Sequence, residues 1–332
     1  MELIDEIYKW NNKKVLIIGE GLIDKYIFGY ADRISPDAPV PNIKIETNSS
    51  YLGGIGLVLQ FIKSLGGIPD VCTIVGNDYE GDFFVKKIKE LKVDTSGILI
   101  DNKINTPQIT RIKAINQHLL RLEMDYSTEI SEATIKNFFK IIEKRPKDLC
   151  SIVVLDFGIG DLFNDLFIQK LLDTLKEHYK NIPIVARPNL SNYYLYENVD
   201  LIKITLQKAL RMLSIDCCNE TSVSIVGKKI LNATKSKSVL LNDIESYSYL
   251  FSQNLERVEK IAPILKQPVR SYVSVGSCIM AILGLSFAIK MPVSEAAKLA
   301  LFAATLTASL PPVEFFNSEK FVKFISELLR NK

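Results

Sequence analysis

The sequence predicts an α/β fold in which a mainly parallel sheet is covered by helices on both faces. Three observations predict it. V-L-I-I-G (Val15 to Gly19) is a short β-branched run ending at glycine, the mark of a buried parallel strand whose carboxyl end opens on a site. Apolar runs of this kind alternate with segments of helical period along most of the chain, which implies right-handed crossovers. With 332 residues, 47% apolar, and a mean hydropathy of +0.13, the chain can fill a sizeable core.

After the first strand, Tyr51 to Leu65 reads as a glycine turn feeding a helix, and P-D-V-C-T-I-V-G (Pro69 to Gly76) as the next strand. A helix is expected from Asp82 to Leu91. Ser151 to Asp156 reads as a core strand, Asp165 to Tyr179 as an amphipathic helix, and I-P-I-V-A-R (Ile182 to Arg187) as the strand after it. Ser238 to Leu241 is a late strand, and Ser277 to Ile289 and Ser294 to Leu310 read as apolar helices. Two segments break the alternation. Residues 27–50 and 106–126 carry period-two stretches with prolines, which suit extended edge strands. A few such strands cannot bury both faces alone, so they are expected to form a lid over the carboxyl-end crevice or to pair with a second copy of the chain. No linker or repeat divides residues 1–332, which are read as one domain with this lid inserted.

Composition excludes several classes of function. A formal charge of +3, from 41 basic and 38 acidic residues spread along the chain, offers no footprint for nucleic acid or an anionic membrane. A charged first segment and the lack of about 18 consecutive apolar residues give no signal peptide or membrane span. Cys72, Cys150, Cys217, Cys218 and Cys278 have no metal-ligand spacing, and with only His118 and His178 beside them a zinc site is not expected. An odd cysteine count without a secretory signal fits a reducing cytoplasm.

S-Y-V-S-V-G-S-C-I-M-A-I-L-G, Ser271 to Gly284, runs from a small-residue turn into an apolar helix, and such a helix start can hold a phosphate on free N–H groups. With G-E-G-L-I-D-K-Y, R-I-S-P-D-A-P-V-P, L-G-G-I-G and I-V-G-N-D in the same order, the chain resembles the PfkB/ribokinase sugar kinases. Among them it is most similar to the kinase domain that phosphorylates heptose 7-phosphate in ADP-heptose synthesis. The resemblance covers nearly the whole chain, most loosely from Cys217 to Ile264. It implies a ribokinase-like three-layer α/β/α sandwich with a small β lid that often mediates dimers.

The resemblance also implies site residues. In the family the helix-opening turn is G-A-G-D, whose N–H groups hold the transferring phosphate and whose aspartate takes the proton of the sugar hydroxyl. Here it reads Ser274, Val275, Gly276, Ser277, so an anion hole of Val275, Gly276 and Ser277 is expected without the base. A positioned carboxylate contributes roughly 10²- to 10⁴-fold to such a transfer, and an unassisted hydroxyl does not replace it. Ser277, preceding an apolar helix, reads more simply as its N-cap. Cys278 sits at the same helix start, where a thiolate is favoured, though its neighbours are apolar.

The family's T-P-N-x-x-E, which helps organise magnesium and phosphate, aligns with Lys203 to Lys208, placing a cation where the carboxylate stood. The aspartate of D-P-K becomes Arg187, the lysine of D-Y-x-K-G becomes Ile159, and Ser246 and Tyr247 fall where a glycine gives a nucleotide room. The sugar side keeps more. Asp24 matches a carboxylate that takes sugar hydroxyls, though a plain loop aspartate would read alike, and Gly53 and Gly54 match paired glycines. Leu57 replaces an asparagine, and Glu20, where aspartate is usual, is long enough to crowd the pocket. Arg111, Lys113 and Arg121 resemble residues that meet the substrate's phosphate; alternation puts Arg111 and Lys113 on one face, as would a solvated edge strand.

The expectation is therefore a PfkB-fold protein whose phosphotransfer is lost, with no catalytic residue and no metal ligand. It would bind a sugar phosphate or act as a regulatory subunit, dimerising through the lid with itself or a relative. The alternative is an active kinase using ATP and magnesium, with its base or metal ligands drawn from elsewhere, such as Asp156 or Asp161. A third class, a structural oligomer with no ligand, predicts no stabilisation by any sugar phosphate or nucleotide.

Overall fold

The computed structural model describes residues 2–114, 117–125, 130–159, 162–215, 219–253, 258–264 and 268–330. The chain begins α1 (Glu2–Tyr8), β1 (Lys14–Gly19), β2 (Gly21–Ile34), β3 (Pro41–Gly54), α2 (Ile55–Ser64), β4 (Ile68–Gly76) and α3 (Tyr79–Glu90). It continues β5 (Ile98–Asp101), β6 (Gln108–Ala114), β7 (Gln117–Met124), α4 (Glu132–Glu143), β8 (Ser151–Leu155), α5 (Asp165–His178) and β9 (Ile184–Arg187). The remainder is β10 (Leu201–Thr205), α6 (Leu206–Met212), α7 (Glu220–Thr234), β11 (Ser238–Asn242), β12 (Ser248–Ser252), β13 (Glu259–Ile261), α8 (Val275–Ala288), α9 (Val293–Ser309) and α10 (Ser318–Arg330).

The main sheet runs β13-β12-β11-β10-β9-β8-β1-β4-β5, parallel from β11 to β5 and antiparallel at β12 and β13. Period-two alternation in β1 sends Val15 and Ile17 into a core shared with α2, α8, α9 and α10. Leu16 and Ile18 enter a second core with α4, α5 and α7. Both faces being buried explains why these strands read as unbroken apolar runs. Helix α8 is apolar all round because it lies inside one of the cores. This is the ribokinase-like α/β/α sandwich.

The predicted core strands and main helices appear within a few residues of their expected bounds, but three local readings are corrected. Tyr51 to Gly54 is the end of β3, not a turn, because its backbone pairs with β2 down to Gly21↔Gly54. Helix α8 begins at Val275, so Ser274 and not Ser277 holds the N-cap position; Ser274 has φ +69°, makes no side-chain cap bond, and its Oγ is buried without a partner. Strands β5, β10, β12 and β13 and helices α1, α4, α6, α7 and α10 are not among the expected elements.

The lid is a second sheet in the order β3-β2-β6-β7. Its strands extend beyond the expected segment 27–50, since β2 leaves the body already at Gly21 and β3 returns to it at Gly54; β6 and β7 fall inside 106–126. Gly54 has φ +54°, and a Cβ there would lie 2.3 Å from the Glu20 carbonyl oxygen, so the re-entry requires glycine. Residue 126, Asp161, Cys217 and Cys218 lie outside the described residues.

Candidate active site

The parallel strands place their carboxyl ends on one crevice. Asp156 follows β8, Arg187 ends β9 and Thr205 ends β10. Beside them β1 has β4 on one side and β8 on the other, the divergence at which open α/β sheets hold ligands. Two adjoining cavities share Phe157, Arg187 and Lys208 as walls.

The larger cavity, about 500 Å³, lies between lid and body. It brings together Asp24, Gly54, Arg111, Arg121, Gly276 and Ser277. Asp24 and Arg111 form an ion pair in which both side chains are nearly buried, 4% and 12% exposed, and the guanidinium stacks over Tyr26 at 5.3 Å. Burial pushes the Asp24 carboxyl up, and Arg111 opposes it. A Cβ on Gly53 would clash with Leu22 and stand 3.0 Å from Asp24 Oδ2, so glycine leaves that oxygen its space. Arg121 pairs with Glu123 at the exposed rim.

Three expected members, Gly53, Lys113 and Val275, are not on the wall of this cavity. Lys113 does not line the cavity; its ammonium lies 6.0 Å from the Tyr26 ring, beyond a register irregularity between Ile112 and Lys113. Val275 is also absent from the wall, at 7% exposure. In α8 the first turn closes from Cys278 N–H to Ser274 O at 2.8 Å, so the N–H groups of Val275, Gly276 and Ser277 have no acceptor one turn back. Burial pushes the Cys278 thiol up to about 12, which removes it as a nucleophile near neutrality.

The expected crowding by Glu20 does not occur. It is fully buried, accepting N–H bonds from Phe157 at 2.9 Å and Ile159 at 3.3 Å, and thereby shapes the loop after β8. Burial, then the Asp156 charge, push it up to about 8. Asp156 lines the smaller cavity but is committed: Oδ2 accepts from Tyr196 Oη and Oδ1 from Gly158 N–H, both at 2.9 Å.

That smaller cavity, about 380 Å³, is basic. Lys203 is 2% exposed on β10, and a Cβ built on Gly276 would lie 3.7 Å from its Nζ. Burial, then the charges of Arg187 and Lys208, lower its ammonium to about 7. Lys208 is lowered by partial burial and by Arg187 and Arg121. Lys208 and Arg187 were picked out in the sequence; Lys203 itself was not singled out. A lysine inside the apolar run L-I-K-I-T was the available signal, because lysine is almost never fully buried without a reason.

Magnesium, which the resemblance implies, does not fit here. The side chains at its place are ammonium and guanidinium groups, and Asp156 has its oxygens engaged. Among the described residues no three His, Cys, Asp or Glu side chains gather as a metal site. In the segment aligned with the family's nucleotide loop, Asp243 Oδ1 accepts from Glu245 and Ser246 N–H, while Lys260 covers the Tyr247 ring at 4.0 Å.

The fold is that of the ribokinase-like sugar kinases. Over 96% of its length the chain superposes on all of Escherichia coli phosphofructokinase-2 in complex with potassium, with TM-score 0.78 and 14% identity. Arabidopsis thaliana ribokinase complexed with ribose and ATP gives TM-score 0.75 at 13% identity, covering 95% of this chain and 99% of that one. At this identity the likeness is one of fold. Residues 12–156 match the pfkB family carbohydrate kinase model.

Its curated relatives include the Bifunctional protein HldE of Aliarcobacter butzleri, 27% identical over 290 residues, which are 87% of this chain and 60% of that protein. The Bifunctional protein HldE of Helicobacter pylori is 29% identical over 297 residues, 89% of this chain and 62% of that protein. The chain thus spans about three fifths of the length of these relatives. Among the described residues no helix is long and apolar enough to cross a membrane.

Proposed function

We propose that this PfkB-fold chain has lost phosphotransfer and retains a sugar-phosphate site, acting as a binding or regulatory subunit. One observation carries the reading: beside the helix-opening turn stands the Lys203 ammonium, with a hydroxyl at 277, and Asp156, the acidic side chain on the smaller cavity's wall among the described residues, is engaged by Tyr196 and Gly158. The larger cavity has the volume for a sugar phosphate, with Asp24 to accept hydroxyls and Arg111 and Arg121 to meet a phosphate. Heptose phosphate is the first substrate class to test, by the sequence resemblance. A reducing cytoplasm suits the free thiols of Cys72, Cys150 and Cys278.

Purified protein with MgATP and a panel of sugars and heptose phosphates is expected to release ADP at least about 100-fold more slowly than the roughly 1–100 s⁻¹ of kinases. Turnover within tenfold of that range, abolished by Asp156→Asn, overturns the reading. Heptose 7-phosphate at about 100 times its Kd is expected to stabilise the fold by about 2.7 kcal/mol, and a flat thermal response to every sugar phosphate removes the binding half.

The lid supports pairing with a second copy. Strand β7 is exposed along its whole length, and Ile45, Leu120 and Leu122 are 62%, 50% and 49% exposed. Light scattering is expected to report a dimer, and Leu120→Glu with Leu122→Glu a monomer. A monomeric parent protein refutes the lid interface.

A further inference from the structure

We infer that the smaller cavity is a polyphosphate site that works without a divalent cation, with Lys203, Arg187 and Lys208 standing where the resembled kinases organise a metal. The inference deepens the reading above and rests on it for the loss of the metal carboxylates.

Four basic side chains, Lys203, Arg187, Lys208 and Arg211, line one 380 Å³ cavity. None of the four has a carboxylate partner among the described ion pairs. Arg187 donates one N–H to the Asp156 carbonyl at 3.1 Å and lies over the Phe157 ring at 4.3 Å, which leaves the rest of its fork unspent. The Lys203 ammonium makes no hydrogen bond among the described residues, although the residue is almost wholly enclosed.

Enclosing an unpaired ammonium near two further cations is unfavourable on every electrostatic count, since burial and like charge both oppose it. A polyanion reverses the second cause and supplies acceptors for the ammonium. The cavity also adjoins the start of α8, where Lys203 Nζ is close to Gly276 and the first-turn N–H groups lack intrahelical acceptors. A buried, unpartnered ammonium and an open helix N-terminus therefore converge on one space.

A chain of phosphates is the ligand class that matches. Lysine neutralises phosphate as a point charge, arginine adds a planar fork, and 380 Å³ admits a triphosphate-sized anion. Asp156, the one acidic side chain on the wall, is hydrogen-bonded to Tyr196 and Gly158 and so presents little free oxygen to an incoming anion. In a metal-dependent site the cation bridges carboxylate and phosphate; here the protein's own cations take the place of the metal and its carboxylate, and magnesium competes for the ligand.

The test is calorimetric titration of the full chain with sodium tripolyphosphate, ATP and inorganic phosphate, each at constant ionic strength in EDTA and again in excess MgCl₂. Saturable binding of tripolyphosphate in EDTA is expected, weakened severalfold by MgCl₂. Lys203→Met and Lys208→Gln are each expected to cost about tenfold in affinity. ATP binding as tightly as tripolyphosphate identifies the phosphate chain as the whole determinant, and tighter ATP binding adds a nucleoside contact to the same site.

The inference is overturned by binding that requires magnesium, by no saturable binding of either polyphosphate in EDTA, or by unchanged affinity in both variants. MgATP turnover would remove the proposed loss of phosphotransfer, whereas inertness to tripolyphosphate in EDTA with no turnover would remove this inference alone.

Discussion

Lys203→Met is expected to stabilise the protein by on the order of 5 kcal/mol at pH 6, the gain vanishing toward pH 10.5. Burial, with Arg187 and Lys208, holds the Lys203 ammonium at about 7 against its ordinary 10.5, and each pKa unit corresponds to about 1.4 kcal/mol. Between those values the unfolded chain binds the extra proton, so this group makes the wild-type protein more stable as pH rises from about 7 to 10.5. Below pH 7 the cost of a charged, buried ammonium is fully present, and methionine, of similar volume, removes it.

Glu20, raised to about 8, has the opposite slope between its unfolded value and pH 8, but both proteins carry it and it cancels in the difference. Denaturant melts of the two proteins from pH 6 to 10 check the prediction. A gain independent of pH, or a loss at pH 6, refutes the placement of Lys203 as an unpaired cation.

The second large effect lies in the lid. Arg111→Met is expected to cost about 3–5 kcal/mol, because it leaves Asp24, 4% exposed, as a buried carboxylate without its partner. Asp24→Asn leaves a guanidinium that is 12% exposed, with a similar penalty. The double variant Asp24→Asn with Arg111→Met is expected to be much less destabilised than the sum, with a coupling within the 0.5–3 kcal/mol range of contacting residues, at about its upper end. Additive losses in denaturant unfolding would mean that the two side chains do not act as a pair. The same pairing explains the geometry of the sugar side: Arg111 reaches from β6 to β2 and holds one Asp24 oxygen, while the other faces the space kept open by Gly53.

The core strands were legible because burial on both faces writes itself into local composition. V-L-I-I-G, I-V-V-L and I-V-A are each apolar throughout, and each lies in a parallel strand. Helices α4 and α7, which cover the sheet with one face and show charge on the other, were harder to see between uneven loops. The N-cap of α8 was misplaced for a different reason. A serine is a good N-cap by its hydroxyl, but the helix starts after Ser274, which has φ +69° and makes no side-chain cap bond.

Of the site, the residue types were readable and their partners were not. The hydroxyl at 277, the cation at 208 and the carboxylate at 24 stand in the chain for anyone to read. That Glu20 folds under the loop after β8, that Lys113 turns away to Tyr26, and that Arg111 occupies Asp24 depends on strands far apart in sequence coming into register.

The amino-acid sequence by itself determined the layers of the fold, the extended strands that break their alternation and the absence of the familiar acid at the helix start, because periodicity and residue identity are local properties. Only the tertiary structure decided that Lys203, from the middle of β10, ends within reach of Gly276 at the start of α8. Charges act through space, and the distance between two groups over seventy residues apart is fixed by how the sheet and helices pack, which no local pattern records.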